Sequence, residues 1–301
     1  MTLKEAYTEA GRRLKERGIP EASLDAWLLL EYVTGVSRAS YYADPDREMN
    51  GTDLKRYRSL IGQRAEHIPL QHLTGTQEFM GLEFAVNDQV LIPRQDTEIL
   101  VEQALAVLKN GEVPAERGHI RILDMCTGSG CILLSVLHWS RKMLQDRTAG
   151  GQDILQDILI EGTGADVSPG ALATAEENAR RLGVKAEFVQ SDLFDSISGR
   201  YGMILSNPPY IRTAEIENLQ EEVRLHDPVL ALDGREDGLY FYRRIVRESC
   251  GCLENGGMLM FEIGFDQAEA VSGLMRDAGF AGIAVKKDLA GLDRVVSGVL
   301  K

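Results

Sequence analysis

Ile122-Leu123-Asp124-Met125-Cys126-Thr127-Gly128-Ser129-Gly130 decides how this chain folds. An apolar run ends in an acid, a glycine-bearing turn follows, and a further apolar stretch, Ile132 to Trp139, continues in a helical pattern. Strand, turn and helix in this order open a βαβ unit. Gly128 and Gly130 let the backbone approach a ligand closely. A full dinucleotide fingerprint needs a third glycine three residues after the second, where this chain has Leu133. The turn therefore either receives a different ligand or is a plain connection. The acid at the end of the strand, Asp124, suits an amine-bearing ligand better than a pyrophosphate.

Outward from this turn, apolar segments suited to strands occur at 120–123, 158–164, 186–190, 203–206, 258–263, 281–287 and 294–300. Helical patterns at 131–146, 169–182, 238–254 and 266–278 alternate with them. Such alternation predicts an α/β fold with a doubly wound parallel sheet. Ligands of open sheets bind outside the carboxyl ends of the strands, so the residues after each strand carry the functional reading. After the second strand comes Gly164-Ala165-Asp166-Val167-Ser168-Pro169. Asp166 either accepts from a ribose diol or is an acid at the start of the helix that Ser168-Pro169 opens. After the third comes Gln190-Ser191-Asp192-Leu193-Phe194, where Asp192 is placed to accept from an adenine amine, with Leu193 or Phe194 against the ring.

The fourth strand, Met203-Ile204-Leu205, leads into Asn207-Pro208-Pro209-Tyr210. In the plainest reading this is a strand-ending turn, since Asn-Pro and Pro-Pro are common punctuators. Two consecutive prolines also lack two N–H donors and leave carbonyl oxygens free to accept. Asn207 adds a side-chain amide and Tyr210 a flat aromatic face. The set suits a planar, NH2-bearing acceptor whose nitrogen is held toward a reagent. Three acids after successive strands, and this tetrapeptide after the next, together describe a ligand pocket.

Residues 1 to about 75 read as helices. Leu3, Ala6, Tyr7, Ala10 and Leu14 recur at helical spacing, and Leu24 to Val33 forms a second helix stopped near Gly35. Leu54, Tyr57, Leu60, Ile61 and Ala65 share one face of a third. Tyr41 and Tyr42 read as packing residues. Further on, Phe79, Leu82, Phe84 and Val86 lead into Asn87-Asp88, with Val90 and Ile92 beyond, which predicts a β-hairpin turning at Asn87-Asp88. Pro93-Arg94-Gln95-Asp96-Thr97-Glu98 then opens an apolar helix, Ile99 to Leu108, with acids where a helix N-terminus favours them. Arg94 and Glu98 read either as shaping the acceptor opening or the hinge, or as an ion pair holding the linker.

The formal net charge of −13 over 301 residues argues against life on duplex nucleic acid, because phosphate binding needs clustered Lys and Arg. The 44% hydrophobic content is that of a globular chain. Cys126, Cys131, Cys250 and Cys252 form no C-x-x-C pair, and no His stands at metal-ligand spacing from the last two. They read as free thiols suited to a reducing cytosol, and no metal is expected. His67, His72 and His226 read as structural or surface residues. The apolar stretch from Ile132 to Trp139 is too short to span a bilayer, and Met1-Thr2-Leu3-Lys4-Glu5 lacks a signal-peptide pattern. A cytoplasmic protein without membrane contact is expected. Residues 145–157 are polar and Gly-containing and read as a surface loop.

These residues resemble the class I S-adenosylmethionine-dependent methyltransferases, and more closely the protein-(glutamine-N5) methyltransferases of peptide chain release factors. The likeness runs through Pro69–Gly75, Glu78–Leu82, Leu91–Glu98, the 124–130 turn and Ser206–Ile211. It continues in Asp227-Pro228, Ala231-Leu232, Asp237-Gly238-Leu239, Phe261–Gly264 and Asp293–Val296. The family usually has Gly where Cys126 stands and Pro where Gln95 stands. Cys126 is tolerable there if its backbone angle is ordinary. The loop at about 141–157 is longer than usual for the family, and is expected to project from the sheet edge.

The resemblance implies a Rossmann-like seven-stranded methyltransferase sheet whose last strand is antiparallel. It implies a helical domain at 1–75 that docks the substrate, a β-hairpin linker at 76–93 and a methyltransferase domain at 94–301. S-adenosyl-L-methionine would be held by Asp124, Cys126, Thr127, Gly128, Ser129, Gly130, Asp166, Asp192, Leu193 and Asn207. The acceptor would be the side-chain amide nitrogen of the glutamine in a Gly-Gly-Gln loop of a release factor. Asn207 and Pro208 would accept its two N–H bonds, with Pro209 beside them and Tyr210 packed on the amide plane. An apolar wall that includes Phe79 would face the sulfonium. A glutamine methyltransferase acting on a ribosomal protein would share this pocket and differ in its docking surface. A DNA adenine-N6 methyltransferase would need a basic groove, which the net charge opposes.

Overall fold

Thr2 starts the first helix. Its hydroxyl accepts from Glu5 N, and the Glu5 carboxylate accepts in return from Thr2 N, which satisfies two orphan donors at once. Helix α1 (Leu3–Glu16) then buries Leu3, Ala6, Ala10 and Leu14, the predicted stripe. Helix α2 (Ala22–Thr34) ends at Gly35, whose left-handed backbone makes the stop. Helix α3 (Arg38–Ala43) carries Tyr41 edge-on against Trp27 with ring centroids 5.3 Å apart. Tyr42 touches Tyr41 from outside and stays exposed, so only Tyr41 is a packing residue. Helix α4 (Gly51–Arg64) buries Tyr57 and Ile61 on the expected face, and α5 (Leu70–Thr74) follows. Both α3 and α5 are too short to show a period in the sequence.

The computed structural model describes residues 1–149 and 158–301. The chain forms two units. The helical one comprises Met1–Thr76 together with the distant segment Gln220–His226. Arg64 ties that segment in. Its Nε donates to Asp25 Oδ2 at 2.7 Å, its Nη2 to Glu222 Oε2 at 2.7 Å and its Nη1 to Ile68 O at 3.1 Å. Arg64 and Asp25 are both buried, so the charges compensate each other out of water.

The second unit comprises Gln77–Leu219 and Asp227–Lys301. Strands β1 (Thr76–Phe79) and β2 (Leu82–Ala85) pair as a two-stranded sheet. Their turn is Met80-Gly81, with φ of 53° and 72°. This corrects the turn predicted at Asn87-Asp88: two left-handed residues in a two-residue loop match the twist of paired strands. Asn87 does a different job. Its Oδ1 accepts from Gln89 N at 2.9 Å and its Nδ2 donates to Thr174 Oγ1 at 3.0 Å. Val90 and Ile92 are buried without forming a strand.

A turn at Gln95–Thr97 and helix α6 (Glu98–Asn110) lead into β3 (His119–Met125), α7 (Cys131–Ala149), β4 (Leu159–Asp166), α8 (Pro169–Leu182), β5 (Glu187–Gln190) and β6 (Tyr201–Ser206). Of the loop expected at about 141–157, residues 141–149 belong to α7 instead, and the rest lies outside the described residues. Helices α9 (Glu221–His226), α10 (Val229–Leu232) and α11 (Tyr240–Ser249) precede β7 (Leu253–Glu262). Helix α12 (Ala268–Asp277), β8 (Phe280–Lys287) and β9 (Asp293–Leu300) complete the chain. The helix predicted at 238–254 stops early because Cys252 O accepts from Tyr201 N at 2.7 Å, which draws the chain into the sheet. Strand order is β5-β4-β3-β6-β7-β9-β8. The first five are mutually parallel, and β9 runs antiparallel to both neighbours. All residues of β6 are buried, as a parallel strand covered on both faces requires.

Candidate functional site

The strand order reverses between β3 and β6, and such a switch point opens a crevice at the carboxyl ends of the strands. A cavity of about 360 Å³ lies there. Of the residues expected to bind, Cys126, Thr127, Gly128, Ser129, Asp166, Asp192, Leu193, Asn207 and Pro209 line it. Asp124, Gly130, Pro208 and Tyr210 do not.

Asp166 ends β4, held by one backbone donor from the start of the next helix and one from the turn after β3. Its Oδ1 accepts from Ser168 N and its Oδ2 from Gly128 N, both at 2.9 Å. Each oxygen keeps a further lone pair for a ligand. Asp166 therefore holds the start of the helix that Ser168-Pro169 opens, and it also lines the cavity. Burial raises its pKa, and the backbone donors pull the other way. Asp192 is more exposed, and its Oδ1 accepts from Arg244 Nη1 at 2.8 Å. Leu193 beside it is buried at a φ of 50°.

Asp124 is fully buried. Its Oδ2 accepts from Thr127 Oγ1 at 2.6 Å. Burial pushes its pKa up to about 7, against the pull of the Thr127 bond. It reaches the cavity through Thr127, because the turn folds back over it and puts the threonine in the wall. Gly130 is a packing position: a Cβ there would meet Leu134 Cδ1 at 3.1 Å and Ala175 Cβ at 3.2 Å.

Cys126 has a φ of 62°. The backbone is left-handed, so the condition for easy tolerance of a side chain is not met. An L-residue there costs roughly 1–2 kcal/mol. Burial raises its thiol pKa well above the ordinary value, which keeps it neutral.

Asn207 follows β6, with its Nδ2 3.4 Å from Thr97 Oγ1. Pro208 and Pro209 are buried. Tyr210 is held by its backbone: Gln267 Nε2 donates to its carbonyl at 3.0 Å. A Cβ at Gly234 would stand 2.7 Å from Tyr210 Cα, and one at Gly238 would strike the Tyr210 carbonyl. The glycine of Asp237-Gly238-Leu239 thus admits the turn that carries the tetrapeptide.

Arg94 and Glu98 do not pair with each other. Arg94 Nη2 meets Asp227 Oδ2 at 2.7 Å, tying Pro93-Arg94 to Asp227-Pro228, all of which border the cavity except Asp227. Glu98 Oε1 accepts from Met80 N at 2.6 Å, while Trp139 Nε1 donates to Met80 O at 3.1 Å. One residue fixes the cavity rim and the other latches the hairpin turn. The expected pair fails because Glu98 lies on the first turn of a helix whose base faces the hairpin.

Thr97 and Glu262 are functional candidates that the sequence reading did not select. Thr97 lines the cavity. Glu262 ends β7 and is 2% exposed. Burial pushes its pKa up to about 7, against hydrogen bonds from Thr97 and Asn207 and the charge of Arg294. The available signal was an acid at the end of the otherwise apolar run Met258–Ile263. Among the described residues no group of His, Cys, Asp and Glu could hold a metal ion, and no helix is long and apolar enough to cross a membrane.

Comparison with known proteins gives matches along the chain. Residues 5–75 match the family described as PrmC N-terminal domain, and residues 156–226 match the methyltransferase small domain. A release factor glutamine methyltransferase of Geobacter sulfurreducens is 40% identical over 95% of this chain and 92% of its own length. One from Caulobacter vibrioides is 38% identical over 99% and 96%. Among solved structures, the hMettl16 catalytic domain in complex with MAT2A 3'UTR hairpin 6 is 14% identical. It covers 84% of this chain and 83% of its own, with a TM-score of 0.51, a likeness of fold alone.

Proposed function

The chain belongs to the release factor glutamine methyltransferase family, and on that premise we propose that Asn207-Pro208-Pro209-Tyr210 holds the side-chain nitrogen (N5) of a Gly-Gly-Gln glutamine for methylation. The protein is an S-adenosyl-L-methionine-dependent methyltransferase that acts on a glutamine of peptide chain release factors. One observation carries the residue assignment: Asn207 and Pro209 line the same cavity as Asp166 and Asp192.

The donor set fits the cofactor. The volume lies in the range of small-ligand sites. Asp166 offers paired oxygens to a ribose diol, Asp192 and Leu193 offer an acceptor and an apolar edge to an adenine, and the 126–129 turn would take the amino-acid end. When bound, the cofactor supplies an electrophilic sulfonium methyl.

The residues of the chain then have to activate a poor nucleophile, because an amide nitrogen shares its lone pair with the carbonyl. Asn207 Oδ1 and the Pro208 carbonyl accept the two amide N–H bonds and so fix the direction of the nitrogen. Among the described residues nothing donates to the Pro208 carbonyl, which leaves it able to accept, although Pro208 itself is buried beside the cavity lining of Asn207 and Pro209. Such positioning removes orientational entropy from the barrier. No base is required before transfer, since the methylated amide is cationic and loses its proton readily.

Residues 1–75 would dock the release factor, 76–93 link, and 94–301 catalyse. Direct nucleic-acid binding is not part of this reading, given the charge of −13, and a factor of translation is met in the cytoplasm. The test is transfer of labelled methyl to purified release factor, beside a variant with alanine for the Gly-Gly-Gln glutamine, with mass mapping. Label on that glutamine alone is expected. Transfer to a ribosomal protein or DNA instead would overturn the acceptor assignment. In Asn207→Ala, kcat should fall more than cofactor affinity, and an unchanged kcat would remove Asn207 from its role.

A further inference from the structure

Asn207 can accept from the substrate amide only if its carboxamide presents Oδ1, not Nδ2, to the glutamine. We propose that Glu262 is the positioning residue that fixes this orientation, acting with Thr97; the inference rests on the acceptor role of Asn207.

Glu262 closes β7, and β7 lies beside β6, which leads into Asn207. Both Glu262 and Thr97 are buried. The side chains of Thr97 and Asn207 lie near enough to the carboxyl group to favour its charged form as donors, Asn207 Nδ2 lies 3.4 Å from Thr97 Oγ1, and Glu262 Oε2 is buried without a hydrogen-bond partner among the described residues. A carboxylate only accepts, and a hydroxyl has a single proton to give. A Thr97 hydroxyl that gives its proton to Glu262 has only its lone pairs left for Asn207. Asn207 must in turn direct its NH2 group toward Thr97 and Glu262. Its Oδ1 is left for the cavity. The opposite amide orientation would set acceptor against acceptor in a buried place, which costs the desolvation of each. The logic is a polarity relay that begins at a group unable to donate.

The relay has a proton switch. A protonated Glu262 can donate, and the orientation of Asn207 is then no longer forced. Arg294 on β9, Asp96 in the 95–97 turn, Tyr210 after β6, Tyr242 on α11 and Cys131 at the start of α7 share electrostatic influence with this carboxyl. Burial raises the pKa of Tyr210, Tyr242 and Cys131 far from neutrality. Glu262 itself titrates at about 7, so kcat should rise with pH through that region as the carboxylate forms.

The experiment compares wild type, Glu262→Gln, Thr97→Val, Thr97→Ser and Asn207→Ala. It measures kcat on release factor against pH and, by calorimetry, affinity for S-adenosylhomocysteine. Glu262→Gln can donate, so kcat should fall on the order of ten- to a hundred-fold while the affinity holds, and the rise near neutral pH should vanish. Thr97→Val should lose activity in the same way, and Thr97→Ser, which keeps the hydroxyl, should recover most of it. A Glu262→Gln enzyme with wild-type kcat and pH profile overturns the proposal. If Glu262→Gln does not fold, Thr97→Val decides, and its wild-type kcat overturns the proposal equally. If Asn207→Ala is itself fully active, the acceptor reading fails first. If Asn207→Ala is impaired while the Glu262 and Thr97 variants are not, only the relay fails.

Discussion

Arg64→Met should remove a large share of the stability of the helical unit. The guanidinium side chain is 5% exposed and makes three hydrogen bonds of 2.7–3.1 Å. Methionine keeps much of the volume and none of the charge. The loss is unequal on the two sides. Glu222 has a side chain 30% exposed and recovers water, whereas Asp25 is 8% exposed and cannot. Breaking a buried pair in this way costs about 3–5 kcal/mol, a large share of the 5–15 kcal/mol typical of a domain. The cost depends on pH. Burial already holds the Asp25 pKa above its ordinary 3.8 despite Arg64, and without the arginine it rises further. A raised carboxyl pKa means stability present below the unfolded value and lost as pH rises through the folded one. The Arg64→Met penalty should therefore be larger at pH 8 than at pH 4. The chain has two tryptophans, Trp27 in α2 and Trp139 in α7. In a Trp139→Phe background, urea denaturation followed by fluorescence reads the helical unit alone. Adding Asp25→Leu to Arg64→Met should recover most of the loss. A penalty below about 1 kcal/mol, the worth of a surface pair, or one that does not change with pH, would refute the reasoning.

Two other outcomes follow from the cofactor turn. Cys126→Gly relieves a left-handed backbone worth roughly 1–2 kcal/mol against about 0.4–1 kcal/mol of added unfolded-state freedom, so the melting temperature should rise by a few degrees; a fall would show that the thiol packing outweighs the strain. Asp124 has its pKa lifted from 3.8 to about 7 by burial, so its neutral form is favoured in the fold. The stability it provides is full below 3.8 and fades as pH rises through about 7, by roughly 4 kcal/mol at most. In the cofactor-free protein Asp124→Asn should flatten that part of the stability profile, and an unaltered difference from wild type between pH 4 and pH 8 would count against it.

The sheet was legible because a buried parallel strand leaves an unbroken apolar run. Met203–Leu205 could hardly be read otherwise, and Ile120–Leu123 is broken only by Arg121. The acids at the ends of β3 and β4 and just past β5 were legible from their position, since ligands of such sheets bind outside the carboxyl ends of the strands. What escaped was set by contacts distant in sequence. The Met80-Gly81 turn is latched by Glu98 and Trp139, and nothing local marks Met80 as a left-handed residue. Asp124 could be placed at a strand end but not shown to lie under Thr127. Glu262 sat inside a segment read as strand, where its burial beside Thr97 and Asn207 depends on the register of β6 with β7.

The discontinuous helical unit has a consequence for synthesis. Arg64 and Glu222 are separated by 158 positions. At 5–20 residues per second, about 8–30 s pass between making the arginine and making its second carboxylate. During that interval the five amino-terminal helices exist on the ribosome with Asp25 as the partner of Arg64 and without Gln220–His226. The unit encoded first is thus completed late, when most of the sheet has already been translated. A nascent chain stalled before residue 220 would expose a helical body still waiting for one of its own parts, and a quality-control protease would meet it in that form.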